Sequence, residues 1–222
     1  SCVALLALLA GHARGDMPLP EAAPQQAAST SLVGELIGDR IARYFASQQA
    51  RENALPSYAL EKETGPGKAL DNSVTVQPVF SMVEGKHSAM VKITAGTSLY
   101  GTGEVAGPLL RNGRKVVAWN TDAYGYQDEA ESLYKSHPWV LAVRPDGTAF
   151  GVLADTTYRV TIDTAATASD EIRFTADGPA FPVIIIERAS PMEVVQAMTK
   201  LTGLPPLPAL WTLGYHQCRY SY

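Results

Sequence analysis

Side chains able to do chemistry are thinly spread along this 222-residue chain. The histidines at 12, 87, 137 and 216 stand apart from one another, with no CxxC or Cys/His cluster beside them, so a structural zinc site is not expected. His137 lies in Ser-His-Pro-Trp and His216 in an apolar run, and both read as structural histidines. Gly101-Thr102-Gly103-Glu104 has the look of a phosphate loop but lacks the third glycine and a following helix. Nucleotide binding is therefore rejected, and the glycines suit a tight backbone path at a strand end. The densest group of functional side chains is Asp122 with the segment 123–132, which together hold Tyr124, Tyr126 and four acids. On its own terms Asp122 reads as a turn residue of an exposed loop. Cys2 falls in a segment expected to be removed, leaving Cys218 as a lone thiol and excluding a disulfide framework.

These residues need a scaffold, and the composition suits a packed one. The net charge is only −4 and no Lys/Arg block occurs, which argues against a nucleic-acid partner. Fifteen prolines and eighteen glycines fit many short strands and turns. Residues 1–13 carry a short apolar run, Cys2 to Ala10, with Gly11 and Ala13 behind it. The run is too short to span a bilayer and resembles the remnant of a secretory signal peptide, which implies a secreted or periplasmic protein. Residues 14–31, rich in Pro, Ala and Gln, read as a disordered linker. Over 32–55 the spacing of Leu32, Leu36, Ile37, Ile41, Tyr44 and Phe45 predicts an amphipathic helix.

From residue 70 to 189 the rhythm changes to period two. Candidate strands begin at Val74, Ala89, Val116, Trp139, Ala149, Tyr158, Glu171 and Pro182, with turn signals at Arg144-Pro145-Asp146-Gly147 and Asp177-Gly178-Pro179. This predicts a mainly β chain with an antiparallel sandwich. Residues 190–208 hold a linking helix, with Ser190 as N-cap, Pro191 at its first position and Glu193 at its third, then a proline hinge. The stretch 209–222, ending Trp211 to Tyr222, reads as a strand opening a further domain. A lone apolar strand is marginal in water, so the expectation is a chain cut as its next domain begins.

The order of several short segments carries a resemblance. Ser98-Leu99-Tyr100-Gly101-Thr102-Gly103-Glu104 comes first, then Trp119-Asn120-Thr121-Asp122 and Ser132-Leu133-Tyr134-Lys135-Ser136-His137-Pro138-Trp139. Gly151-Val152-Leu153, Asp155-Thr156-Thr157, Ser190-Pro191 and Leu201-Thr202-Gly203 follow, and Trp211 to Tyr222 closes the series. Together they resemble the N-terminal region of glycoside hydrolase family 31, the α-glucosidase and α-xylosidase family. The resemblance implies a galactose-mutarotase-like sandwich followed by a (β/α)8 barrel, of which the final strand here would be the first. It implies retaining hydrolysis of an α-linked oligosaccharide or glycoside by two aspartates. In the family both lie downstream of this strand, so no catalytic residue is assigned here, and no cofactor, metal or membrane span is implied.

What the resemblance does assign is a sandwich loop over the barrel mouth. The matching residue to the family's sugar-binding Asp is Asp122, although Thr121 stands where relatives often carry Arg. A carboxylate suits that role because it accepts from two neighbouring hydroxyls in charge-assisted bonds. The aromatic faces of Tyr124 or Tyr126 suit stacking on an outer pyranose ring, with a solvated loop of incidental aromatics as the open alternative, and Tyr222 at the strand end is expected to help shape the pocket. Two other readings stay open, a stand-alone carbohydrate-binding module and a sugar mutarotase working by general acid and base.

Overall fold

The computed structural model describes residues 32–62 and 67–217. The signal-peptide and linker expectations for 1–31, both cysteines and Tyr222 lie outside the described residues.

Among the described residues twelve strands form two antiparallel sheets. In chain order they are β1 (Val33–Gly38), β2 (Ile41–Phe45), β3 (Lys68–Ala69), β4 (Val79–Val83), β5 (Lys86–Lys92) and β6 (Ser98–Gly101). Then come β7 (Arg114–Ala118), β8 (Trp139–Val143), β9 (Ala149–Ala154), β10 (Val160–Thr164), β11 (Glu171–Ala176) and β12 (Val183–Arg188). One sheet runs β3-β1-β2-β12-β9-β8-β6 and the other β4-β5-β11-β10-β7. Helix α1 (Gln48–Glu52) is short, and α2 (Pro191–Thr202) lies against the larger sheet.

The 32–55 helix is not formed. Its apolar residues build the β1–β2 hairpin, turning through Asp39 and Arg40, with only Gln48–Glu52 helical. The reason is burial on both faces. Leu36, Ala42 and Tyr44 pack between the sheets, whereas Ile37 and Ile41 pack on the α2 side. A strand apolar on both faces loses its alternation, and the remaining spacing imitates a helix. Glu35, placed on the expected polar face, is instead buried and paired with Arg43 (2.6 Å) and Arg51 (2.5 Å). The sandwich therefore draws in the hairpin and extends beyond the expected 70–189.

The core has two compartments, one on each face of the larger sheet. Tyr44, Phe150, Phe174, Ile162 and Ile185 fill the space between the sheets. Ile184, Ile186, Leu153 and Trp139 meet Val194, Ala197 and Met198 of α2. β12 serves both with successive isoleucines, each full burial contributing about 1.5–3 kcal/mol. Trp139 lies across Gly151 on the paired strand, where a Cβ would sit 1.8 Å from its Cη2. That close approach accounts for glycine in Gly151-Val152-Leu153.

The strands expected at Trp139, Ala149 and Glu171 form where expected, and Pro182's begins one residue later. Val74 packs in the core without joining a strand, and β6 was not among the expected strands. Ser190 caps α2 by accepting from the Glu193 amide (3.3 Å), and Gly203 ends it. The strand expected over 209–222 differs too. Leu210–Leu213 is a 3-10 turn, residues 214–217 carry no regular structure, and 218–222 lie outside the described residues.

Candidate functional site

The segment from Trp119 to Pro138 leaves β7 and returns to β8. Its base is fastened on both sides. Val117 N–H donates to Glu131 O (2.8 Å) and Thr121 N–H to Leu133 O (2.8 Å). Ser136 N–H donates to Asn120 Oδ1 (2.9 Å), and the Ser132 hydroxyl donates to Trp119 O. The loop's return limb is anchored from the other direction by Gly101-Thr102-Gly103. Glu104 N–H donates to Lys135 O (3.0 Å) and Thr102 N–H to Trp139 O (2.7 Å).

All three residues of that motif have positive φ, 99°, 70° and 80°. A Cβ on Gly103 would fall 2.7 Å from His137 N, so only glycine fits there. Arg111, itself buried, braces the same turn by donating from Nε to Gly101 O (3.3 Å), and it holds the chain that follows through the carbonyls of Pro108 (2.8 Å) and Ala106 (3.1 Å). Desolvation, then the neighbouring Arg114 charge, lowers its pKa from the ordinary arginine value.

Beyond the fastened base the loop opens into solvent. Asp122 and Tyr124 both lie there, Tyr124 fully exposed at 99 %, and neither side chain has a hydrogen bond or ion pair among the described residues. The structure thus brings Asp122 and Tyr124 onto one loop. Tyr222 lies outside the described residues, so its grouping with them is not seen. Among the described residues His137 forms no ion pair with a carboxylate, and His216 is exposed beside Thr212 O (2.5 Å). Among the described residues no group of three or more His, Cys, Asp or Glu side chains could hold a metal, and no helix is long and apolar enough to cross a membrane.

Two clefts flank the β8–β9 hairpin. The larger, about 1070 Å³, lies between its turn and α2. There Glu187 accepts from Arg144 (2.8 Å), from Thr75 N–H (2.7 Å) and from the Thr75 hydroxyl (3.0 Å). Burial alone would raise the Glu187 pKa, but these donors outweigh it and hold the carboxyl below its ordinary value.

The smaller cleft, about 390 Å³, lies at the opposite end of the hairpin. Tyr58, Trp119, Asn120, Ser136, Thr156 and Tyr158 line it. Beside it sits the buried carboxyl of Asp155, neither oxygen of which has a well-formed hydrogen bond. Burial pushes its pKa up, more than the Ser57 hydroxyl and the Tyr58 and Ala59 amides pull it down. Burial and then Asp155 likewise raise the pKa of Tyr58. Sequence reading missed Tyr58 and Tyr158 as partners of Trp119. The three lie on separate segments, and no local signal joins them.

Comparison with known proteins places this architecture. Residues 75–163 match the profile of the glycosyl hydrolase 31 N-terminal galactose mutarotase-like domain. Over 124 residues the chain is 44% identical to alpha-glucosidase 2 of Bacillus thermoamyloliquefaciens, covering 55% of this chain and 16% of that protein. It is 33% identical over 124 residues to an alpha-glucosidase of Saccharolobus solfataricus, covering 56% of this chain and 18% of that one. A family 31 alpha-glucosidase structure from Bacteroides thetaiotaomicron is 46% identical, with a TM-score of 0.57, over 64% of this chain and 24% of that chain. A GH31 dextranase structure from Flavobacterium johnsoniae shares the fold at 20% identity, with a TM-score of 0.69 over 83% of this chain and 27% of that chain. Residues 75–163 of the sandwich thus carry the signature of the N-terminal galactose mutarotase-like domain of glycoside hydrolase family 31, in a chain that spans less than a third of the length of these relatives.

Proposed function

We propose that this domain serves a retaining, α-glucosidase-like glycosidase that hydrolyses O-glycosyl bonds of α-linked oligosaccharides or glycosides. Its share in the reaction is to pack beside a (β/α)8 barrel and to lend the Asp122 loop to the substrate. The observation that carries this reading is the loop itself, fastened at its base by Asn120, Thr121 and Ser132 while Asp122 and Tyr124 are left unpartnered in solvent. A carboxylate so held accepts from two adjacent sugar hydroxyls at little cost in ordering. Tyr124 adds a face for an outer ring. The two catalytic aspartates of this reading belong to the barrel, so residues 1–222 alone are inactive. The apolar segment 2–10 directs the product to the periplasm or the exterior.

The test uses an aryl α-glucoside. The 1–222 chain, free of contaminating enzyme, is expected to release no phenol. The product of the encoding frame read past the Tyr222 codon is expected to release it. In that product Asp122→Ala should raise KM about tenfold to a hundredfold, the loss of a charged hydrogen bond. Hydrolysis by the 1–222 chain, or a stop codon directly after Tyr222, overturns the proposal. N-terminal sequencing of the product from culture medium or periplasm tests export, and an intact segment 2–10 there would defeat it.

A further inference from the structure

The cleft at the start of β8 is lined without a single Asp, Glu, Lys, Arg or His. Three aromatic side chains frame it, Trp119 at 50 % exposure, Tyr158 at 44 % and Tyr58 at 42 %. Between them stand the neutral hydrogen-bonding groups of Asn120, Ser136, Thr156 and Thr157. Large aromatic faces left half in water retain unspent hydrophobic energy, and neutral amides and hydroxyls beside them give orientation. The volume, about 390 Å³, is at the small end of the range of ligand pockets.

The walls are built before any ligand arrives. Tyr158 lies flat on Gly178, where a Cβ would meet its Cγ at 2.3 Å, and its N–H donates to Thr156 Oγ1 (3.2 Å). Trp119 is fixed through its carbonyl, which accepts from the Thr121 hydroxyl (3.0 Å) and from Ser132. Asn120 spends its oxygen on Ser136 N–H and keeps its amide NH₂. The segment carrying Tyr58 is turned by Ser57 Oγ, which accepts from the amides of Ala59 (3.3 Å) and Leu60 (3.2 Å). Such preorganisation lowers the ordering cost of binding.

This chemistry excludes most ligand classes. A phosphate or carboxylate ligand finds no counter-charge, and a metal ion finds no carboxylate, imidazole or thiolate in the lining. A wholly apolar ligand would bury Asn120, Ser136 and Thr157 without partners, at the cost of unmade hydrogen bonds. What fits is a neutral ring with an apolar C–H face and hydroxyls around its rim. We propose that this cleft binds one neutral pyranose, its C–H face against Trp119 and the tyrosines and its hydroxyls on Asn120, Ser136 and Thr156. The assignment stands on the lining and does not require the Asp122 loop to hold substrate.

The experiment is amide-resolved NMR of the 15N-labelled 1–222 chain titrated with methyl α-D-glucopyranoside, methyl α-D-xylopyranoside and methyl α-D-galactopyranoside, with inorganic phosphate as the charged probe. Saturable shifts centred on the amides of Ala118, Ser136, Thr156 and Thr157 are expected for at least one sugar, with a Kd on the order of 1 mM, and none for phosphate. Trp119→Ala should weaken binding by at least about tenfold, and Trp119→Phe by less. The wild-type shift map decides the matter if Trp119→Ala fails to fold. The proposal is overturned if no sugar gives saturable shifts at those amides, or if phosphate moves them equally. It is also overturned if binding survives Trp119→Ala in a folded protein, or if the shifts centre on the amides of residues 121–126 instead, which would put the sugar on the loop.

Discussion

At the turn of the β8–β9 hairpin, the larger cleft is lined by four acidic and four basic side chains; at the hairpin's other end, the smaller cleft has none. In the first, most of the charges are spent on one another, on the backbone or on Thr148. Glu187 is held by Arg144 and Thr75, Arg40 Nε donates to the Glu187 carbonyl (3.0 Å), and Arg188 pairs with Asp39 (3.6 Å). Arg144 also stacks over Phe150 at 4.8 Å. In the second, aromatic faces and neutral polar groups stay open to solvent. The difference teaches that neither volume nor charge density marks a binding site here. What marks it is the share of the lining whose chemistry is left unused.

The sharpest way to break that contrast is to remove Glu187. Glu187→Ala strands Arg144 and the Thr75 amide in a buried place and is expected to cost about 3–5 kcal/mol in urea unfolding. The sugar titration of the opposite cleft should be unchanged while the protein is folded. Because the Glu187 pKa is held below its unfolded value, its contribution is present above that value and is lost as pH falls through the folded pKa. Wild type should therefore shed stability in acid below about pH 4.5, with Glu187→Gln flattening that limb. A variant as stable as wild type would mean the charged cleft is not a structural weld.

Next in size is Gly151→Ala. The new methyl collides with the Trp139 ring, and a loss of about 1–3 kcal/mol is expected from the same unfolding curves. Because Trp139 opens β8 next to Pro138 of the neutral cleft, the variant should also disturb the Ser136 amide resonance.

Asp155→Asn sharpens the comparison with the opposite sign. Asp155 has a raised folded pKa, so its favourable contribution is present below the unfolded value and is lost as pH rises through the folded pKa. The amide should stabilise the protein by about 1 kcal/mol at pH 7 and leave it unchanged near pH 3. Equal gains at both pH values would show that ionisation is not the cause. The smallest effect belongs to Asp122→Ala. With no partner among the described residues, it should change unfolding free energy by less than about 0.5 kcal/mol, and a larger loss would make Asp122 a structural residue.

Most of the sandwich from β4 to α2 was legible, for identifiable reasons. Glu171–Ala176 alternates because its neighbours cover one face and solvent touches the other, and α2 announces itself with Ser190, Pro191 and Gly203. The N-terminal hairpin was not legible. Both faces of β2 are buried, and Glu35 is polar only by type, its charge compensated by arginines 8 and 16 residues away. The Asp122 loop was found by resemblance of short strings, not by periodicity. The neutral cleft was out of reach, since Tyr58, Trp119 and Tyr158 converge only after the strands have paired.

The sheet order has a kinetic consequence. β2 pairs with β12, so its free edge finds its neighbour only when the last strand arrives, and Arg40 reaches Glu187 across 147 residues. Closing so long a loop comes late in folding, and a domain dominated by such pairings folds slowly. During synthesis the hairpin leaves the ribosome early and waits with an unsatisfied apolar edge while the intervening strands assemble. The vulnerable species of this protein is thus a nearly finished sandwich with one seam open, and the arrival of Ile184, Ile185 and Ile186 is the step that seals it.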